Sequence, residues 1–210
     1  TCQTLELNRQ KGVLSITPNR GTAKNRQIFA GTYVMRRDLF IDMIKKAHNT
    51  SAMYSLMDWV NLMCNEMDIR GVAHRGYFGS ITDFKSYYDT SMSLIDLKTA
   101  RSLFDPDWPI YTRTSDSCPT QYLEGADVKA SVISNGCRIE GTIDHSILSR
   151  GCIIKKGAVV KNCVILPDVV IGEDTVLENV VVDKHVRINH IKEVKGTPEH
   201  PGYVKRGDHL

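Results

Sequence analysis

The chain has 210 residues, 41% hydrophobic and 24% charged, the profile of a globular protein with interior for one large or two small cores. A formal net charge of +3 is too small to drive binding to nucleic acid or an anionic membrane, so neither is an expected partner. No apolar run approaches the ~18 residues of a membrane-spanning helix and no signal-peptide pattern opens the chain.

Thr1 is followed directly by strand-like residues, which reads as a piece of something longer. Residues 1–35 carry three strand signals: the alternating Thr4-Leu5-Glu6-Leu7, then Val13-Leu14-Ser15-Ile16 after a turn at Lys11-Gly12, then the apolar stretch from Ile28 to Met35. The segment from Thr17 to Thr22 has loop chemistry. Asp38 is the expected cap of a first helix with Leu39, Phe40, Met43, Ile44 and Ala47 on one face. A second helix is expected after Thr50-Ser51, with Leu56, Trp59, Val60, Met63 and Met67 at helical spacing; its methionines read as core filling. Ile69 to Phe78 reads as another strand, and Thr82 as the cap of a third helix carrying Phe84, Tyr87, Tyr88 and Ile95. A short helix over 97–104 follows, broken by Asp105-Pro106-Asp107-Trp108-Pro109. Strands and helices alternating in this order predict an α/β layer. Thr112 to Gly125, rich in Thr, Ser and Pro, reads as a linker.

From Val132 to Ile188 the pattern changes. Aliphatic pairs recur every five or six positions: Ile147-Leu148, Ile153-Ile154, Val159-Val160, Val164-Ile165, Val170-Ile171, Val176-Leu177 and Val181-Val182. Laying 147–163 on 164–180 superposes the pairs. Neither a helix nor a flat strand has this period, whereas short strands joined by tight corners, three to a coil, do. Asn135-Gly136, Arg150-Gly151, Lys156-Gly157, Pro167-Asp168 and Glu173-Asp174 supply the corners. One residue of each pair is expected inside a shared core: Ile133, Leu148, Ile154, Val160, Ile165, Ile171, Leu177 and Val182. The tail after Ile188 has no strong periodicity and is expected on the surface.

The six cysteines form no CxxC pair and have no histidine at ligand spacing. Cys137, Cys152 and Cys163 each precede an aliphatic pair, where a small apolar side chain belongs, and all six are expected to be free thiols of a reduced compartment. His145, His185 and His190 lie in or beside the hexads and read as solvated corner residues. Arg36-Arg37, Lys45-Lys46 and Lys155-Lys156 read as solvated surface. No P-loop, GxSxG, HExxH or GxGxxG string occurs.

Four strings in order carry a family resemblance. Ala30-Gly31-Thr32-Tyr33-Val34-Met35 resembles an MGIYVF-like strand. Gly76-Tyr77-Phe78-Gly79-Ser80-Ile81-Thr82 sits where a YWxDVGT string precedes a helix, and Trp108-Pro109-Ile110-Tyr111-Thr112 matches a WPIxT segment. With the hexads, these make the chain similar to the C-terminal half of ADP-glucose pyrophosphorylase (glucose-1-phosphate adenylyltransferase). The resemblance implies residues 1–115 as the end of an α/β sugar-nucleotidyltransferase domain, and 116–210 as linker, left-handed β-helix and tail. It also implies a family chemistry, ATP and glucose 1-phosphate giving ADP-glucose and pyrophosphate with Mg²⁺.

The departures decide what the resemblance implies for this chain. Thr17 stands where the family has a lysine that holds the sugar phosphate. Phe29 stands for the serine of an SMG string, and Gly79 for the aspartate that binds the catalytic metal. Adenylyl transfer needs positive charge on the phosphates and a carboxylate-held cation, which these three side chains do not supply. No catalytic, cofactor-binding or metal-ligating residue is therefore assigned, and no cofactor is expected in this chain. The expected role is a regulatory, non-catalytic subunit for glycogen synthesis, joined through its β-helix to a catalytic paralogous subunit in a hetero- or homo-oligomer. The alternatives are an active nucleotidyltransferase using unfamiliar residues, and a hexapeptide-repeat acyltransferase using His145 or His185.

Overall fold

A computed structural model describes residues 2–19, 27–49 and 55–210, in two compact units, 1–75 and 76–210. In the first, β1 (Gln3–Leu7) and β2 (Val13–Pro18) form an antiparallel hairpin. The Asn8 side chain builds its turn, its Oδ1 accepting from the backbone N–H groups of Gln10 and Gly12 at 2.9 and 2.8 Å. β3 (Gln27–Ile28) pairs on the other side of β1. Helices α1 (Arg37–His48) and α2 (Leu56–Met63) complete this unit. Its core is Val13, Ile16, Met43, Trp59 and Val60. Asn61 fastens α2 to β2, accepting from the Ile16 N–H at 2.7 Å and donating to the Ile16 carbonyl at 2.9 Å.

Three local expectations are corrected here. Asp38 does not cap α1; Arg36 occupies that position and Asp38 lies in the first turn, where a carboxylate still favours the helix dipole. Of Ile28 to Met35 only Ile28 is in a strand, and Val34 is 98% exposed. Of Ile69 to Phe78 only Arg70 forms a bridge, to Gly12. Apolar β-formers set a tendency, but a strand also needs regular backbone pairing along its length, and among the described residues these stretches are paired in that way only at Ile28 and Arg70. Part of the expected loop at Arg20-Gly21-Thr22 and the expected helix start at Thr50-Ser51 lie outside the described residues; α2 is capped by Ser55, whose side chain accepts from the Asp58 N–H.

In the second unit α3 (Phe84–Ser93) and α4 (Leu97–Leu103) precede the β-helix. α3 is capped by Asp83 rather than Thr82: its carboxylate accepts from the Ser86 N–H while the Ser86 side chain accepts from the Asp83 N–H. Asp96 caps α4, its carboxylate accepting from the Thr99 N–H and hydroxyl at 2.8 Å each.

The hexads form three five-stranded parallel sheets, the faces of a triangular coil. The first face holds strands starting at Gln121, Arg138, Ile153, Val170 and Arg187; the second those starting at Asp127, Thr142, Val159, Val176 and Glu193; the third those starting at Val132, Ile147, Val164, Val180 and Gly202. Register follows the repeat: Val164 is opposite Ile147 and Val181, and Ile165 is opposite Leu148 and Val182. Of the residues expected inside, Leu148, Ile154, Val160, Ile165, Ile171, Leu177 and Val182 are fully buried, and Ile133, in the first coil, is partly buried against them. The corners require left-handed backbone. Gly136, Gly151, Gly157, Asp168 and Asp174, the second residue of each expected corner, all have positive φ. At Gly151 a Cβ would meet Asp168 Oδ1 at 2.6 Å, so the stacked corner admits only glycine there without rearrangement. On the second face Lys129, Asp144, Lys161, Glu178 and Lys195 lie in one register row, so that charges of opposite sign face each other at every step.

The β-helix is longer than expected from the hexads. Gln121-Tyr122, inside the expected linker, already pairs with the next coil. The tail after Ile188 is not merely surface: Glu193–Lys195 and Gly202–Val204 add the last strands of two faces. Residues 196–201 form the corner between them, where one coil earlier Asn179 alone turns the chain. That insertion erases the period while leaving the coil intact.

α3 belongs to the same compact unit as the β-helix, although it precedes the linker that suggested a boundary near 115. Tyr88, 5% exposed, packs with Val164 and Val181 of the third face, flanked by Tyr87, Met92 and Leu166. Its hydroxyl donates to the Asn162 carbonyl at 2.7 Å. Burial pushes the Tyr88 phenol up from 10.0 to about 12, helped by Cys163 and Asp89. The folded state therefore holds this proton more tightly than the unfolded chain. Its contribution to stability is complete below about pH 10 and is lost as pH rises through about 12. Denaturant unfolding across that window should show a decline that Tyr88→Phe reduces; an identical decline in the variant would refute the assignment.

Candidate functional site

The three family positions are placed on irregular or edge segments. Thr17, near the end of β2, is opposite Thr4 of β1, whose hydroxyl donates to the Thr17 carbonyl at 3.0 Å. Phe29, just beyond β3, donates its N–H to the Gln3 carbonyl at 2.9 Å and stacks edge-on against Tyr33, ring centroids 5.2 Å apart. Thr17 and Phe29 thus flank β1 on opposite sides, about 10 Å apart at two strand spacings. What they present is a hydroxyl and an aromatic ring, with no charge for a phosphate.

Gly79 lies in the second unit, on the segment leading into α3. A Cβ built there would meet Thr90 Cγ2 at 2.7 Å and the Tyr77 hydroxyl at 3.0 Å. Tyr77 is held in that space by Ser93, oxygen to oxygen at 2.8 Å. The position is occupied by neighbours as well as lacking a carboxylate. The nearby carboxylate, Asp83, is held below the usual range by hydrogen bonds from the Ser86 backbone and side chain, and those bonds are the helix cap. Among the described residues, no cluster of three or more His, Cys, Asp or Glu is arranged to hold a metal. The residues at this position do not fit a Mg²⁺ ion.

The histidines are tied into the corners. His145 and Asn162 occupy equivalent left-handed corners of successive coils, with His145 Nδ1 2.9 Å from Asn162 Oδ1. His185 Nδ1 is 3.5 Å from Asp168 Oδ2 in the same stacked manner on another edge. Both rings are thus approached through Nδ1 along the coil axis. His190 lines an open polar hollow with Lys155, Gly172, Glu173, Asn189 and Lys192. Sequence reasoning passed over this hollow because its residues come from successive coils. Lys192 there donates to the Glu173 carbonyl at 2.9 Å.

All six cysteines are free. Cys137, Cys152 and Cys163 are buried, each just before a short strand of the β-helix. Burial pushes the Cys163 thiol up to about 12. The hydrogen bond between Cys137 and Cys152, then burial, raises Cys152; the same bond lowers Cys137, which is nonetheless shielded at 1% exposure. A thiol reagent should therefore modify the exposed Cys2 and Cys118 quickly and the three buried thiols only on unfolding, with all six titrating in denaturant. Fewer than six free thiols under non-reducing conditions would contradict this arrangement.

Comparison with known proteins fits this architecture. Residues 119–200 match the family model described as GlmU-like, C-terminal hexapeptide. The glycogen biosynthesis protein GlgD of Bacillus subtilis (strain 168) is 38% identical over 175 residues, 83% of this chain and 51% of the relative. GlgD of Geobacillus stearothermophilus gives the same identity and coverage. Glucose-1-phosphate adenylyltransferase of Thermomicrobium roseum is 35% identical over 109 residues, 51% of this chain and 26% of the relative. The resemblance to ADP-glucose pyrophosphorylases stands. Within that resemblance, GlgD covers much more of this chain than the adenylyltransferases do, and the chain spans about half the length of those GlgD relatives. No helix among the described residues is long and apolar enough to cross a membrane.

Proposed function

We propose that this chain is part of a regulatory, non-catalytic subunit of glucose-1-phosphate adenylyltransferase, acting in the cytoplasm in glycogen synthesis alongside a catalytic paralogous subunit. The observation that carries the reading is the state of the Gly79 position. The side chain that would hold the metal is missing, and Thr90 and Tyr77 fill the space it would enter. Thr17 and Phe29 remove the lysine and serine as well. One loss is compensable; a site short of a phosphate-binding cation and a metal ligand together has lost the charge stabilisation that phosphoryl transfer depends on. The similarity to GlgD, which bears a glycogen biosynthesis name rather than an adenylyltransferase name, supports the same reading. So do the broad flat faces of the β-helix, which suit contact between subunits.

The test is a mixture. The intact subunit, co-purified with a catalytic paralogue, should change the partner's maximal rate, substrate affinity or effector response in a pyrophosphate-release assay. A confirmed complex with the kinetics of the partner alone would defeat the regulatory reading.

A further inference from the structure

Helix α3 makes contacts on two opposite sides. Phe84, Tyr88 and Met92, one turn apart, face the third sheet of the β-helix. Tyr88 packs on Val164 and Val181 and bonds to the Asn162 carbonyl, and Phe84 meets Tyr203 edge-on at 5.5 Å between centroids. Ser86 and Thr90 lie roughly 160° around the helix from Tyr88, at 3.6 residues per turn. They face the segment that carries Gly79. Ser86 Oγ accepts from the Thr82 N–H at 2.9 Å, and Tyr77 is held by Ser93 Oγ at 2.8 Å, with the Thr90 carbonyl 3.4 Å away. Residues 77–82 are thus fastened to the first turn of α3 at one end and to its last turn at the other. They form no strand of their own, and α3 holds them at both ends.

We infer that α3 is a two-faced strut through which the β-helix positions residues 77–82, with Tyr88 as its fastening, so that a displacement of the third face is passed to the Gly79 segment. Geometry favours transmission over absorption. α3 is fixed by a capping box at its N-terminus and tied by hydrogen bonds to Asn162 on one side and to residues 77–82 on the other. Tyr88 is a positioning residue in this scheme, acting through the helix rather than on any ligand. The regulatory use of the strut rests on the function proposed above; the mechanical coupling does not.

Hydrogen exchange on the intact protein separates the two. Tyr88→Phe keeps the ring and removes the hydroxyl, and Val181→Ala opens the β-helix side of the contact. Each should speed amide exchange in 77–82 by about tenfold, the effect of weakening one buried hydrogen bond or packing contact, while the coils over 138–154 stay protected. Faster exchange in 84–93 with unchanged exchange in 77–82 would overturn the strut, as would no change in either. In the mixture with the catalytic paralogue, Tyr88→Phe should assemble as the wild type does but shift the partner's kinetics less. If the wild-type subunit itself shifts nothing, the regulatory reading falls, and the exchange result still decides whether the helix couples the two segments.

Discussion

Pyrophosphate release by the intact subunit alone, supplied with ATP, glucose 1-phosphate and Mg²⁺, should fall roughly 10⁴-fold or more below that of a catalytic paralogue, since each preorganised charge-stabilising group is worth about 10²-fold or more. The cause is local and threefold. Thr17 offers a hydroxyl where a phosphate needs a cation, and that end of β2 is already committed to Thr4. Phe29 fills its position with a ring stacked on Tyr33. Gly79 has no ligand, and its surroundings have closed over the place where one would stand. That last point yields a sharper form of the same prediction. Gly79→Asp with Thr17→Lys should recover little activity, because Thr90 and Tyr77 must also move to admit the carboxylate. Robust turnover by the unmodified subunit would end the reading of a lost site. Substantial rescue by the two substitutions would show that the closed space around Gly79 yields easily.

Ile165→Asp should abolish cooperative folding of the β-helix or cost roughly 3–5 kcal/mol, the range for an uncompensated buried charge. Ile165 is fully buried, and the residues opposite it in the coils on either side, Leu148 and Val182, are fully buried as well. A carboxylate there meets only aliphatic carbon from both neighbours, and the stacked geometry gives it no path to water. The effect should spread, because each coil is stabilised almost entirely by the coils that flank it. Lys156→Ala, at an exposed corner, is the control and should stay within about 0.5 kcal/mol. Denaturant unfolding followed by circular dichroism measures both. Ile165→Asp folding with near-native stability would mean that this side chain is not in the core.

The two predictions draw on different parts of what the residues encode. The β-helix is legible because its information is local and repeated. An aliphatic pair sets one inward side chain, and a Gly or Asp after it permits the left-handed corner. Stacking then forces the same register on every coil, so Leu148, Ile154, Ile165 and Ile171 could be placed inside from spacing alone. Legibility failed where the repeat was interrupted without being ended. The 196–201 corner hides the last strands of two faces, and Gln121-Tyr122 lacks an aliphatic pair yet joins the first face through its backbone. In the first unit the apolar run from Ile28 to Met35 looked like a strand and was not one beyond Ile28, since pairing depends on a neighbour that the run does not specify.

The candidate site divides along the same line. Thr17, Phe29 and Gly79 were singled out by the family resemblance, and that none of the three carries a charge is plain from the sequence. Composition likewise set the class of protein, and the spacing of small residues before aliphatic pairs put Cys137, Cys152 and Cys163 in the core as thiols. That Tyr77 and Thr90 occupy the space at Gly79, that α3 lies with the β-helix, and that Tyr88 reaches the Asn162 carbonyl were decided only in three dimensions. A helical pattern shows which face of α3 is apolar but not what that face will meet. Its partners, Val164 and Val181, are about 75 to 95 residues further along the chain, in a β-helix whose own pattern is complete without it.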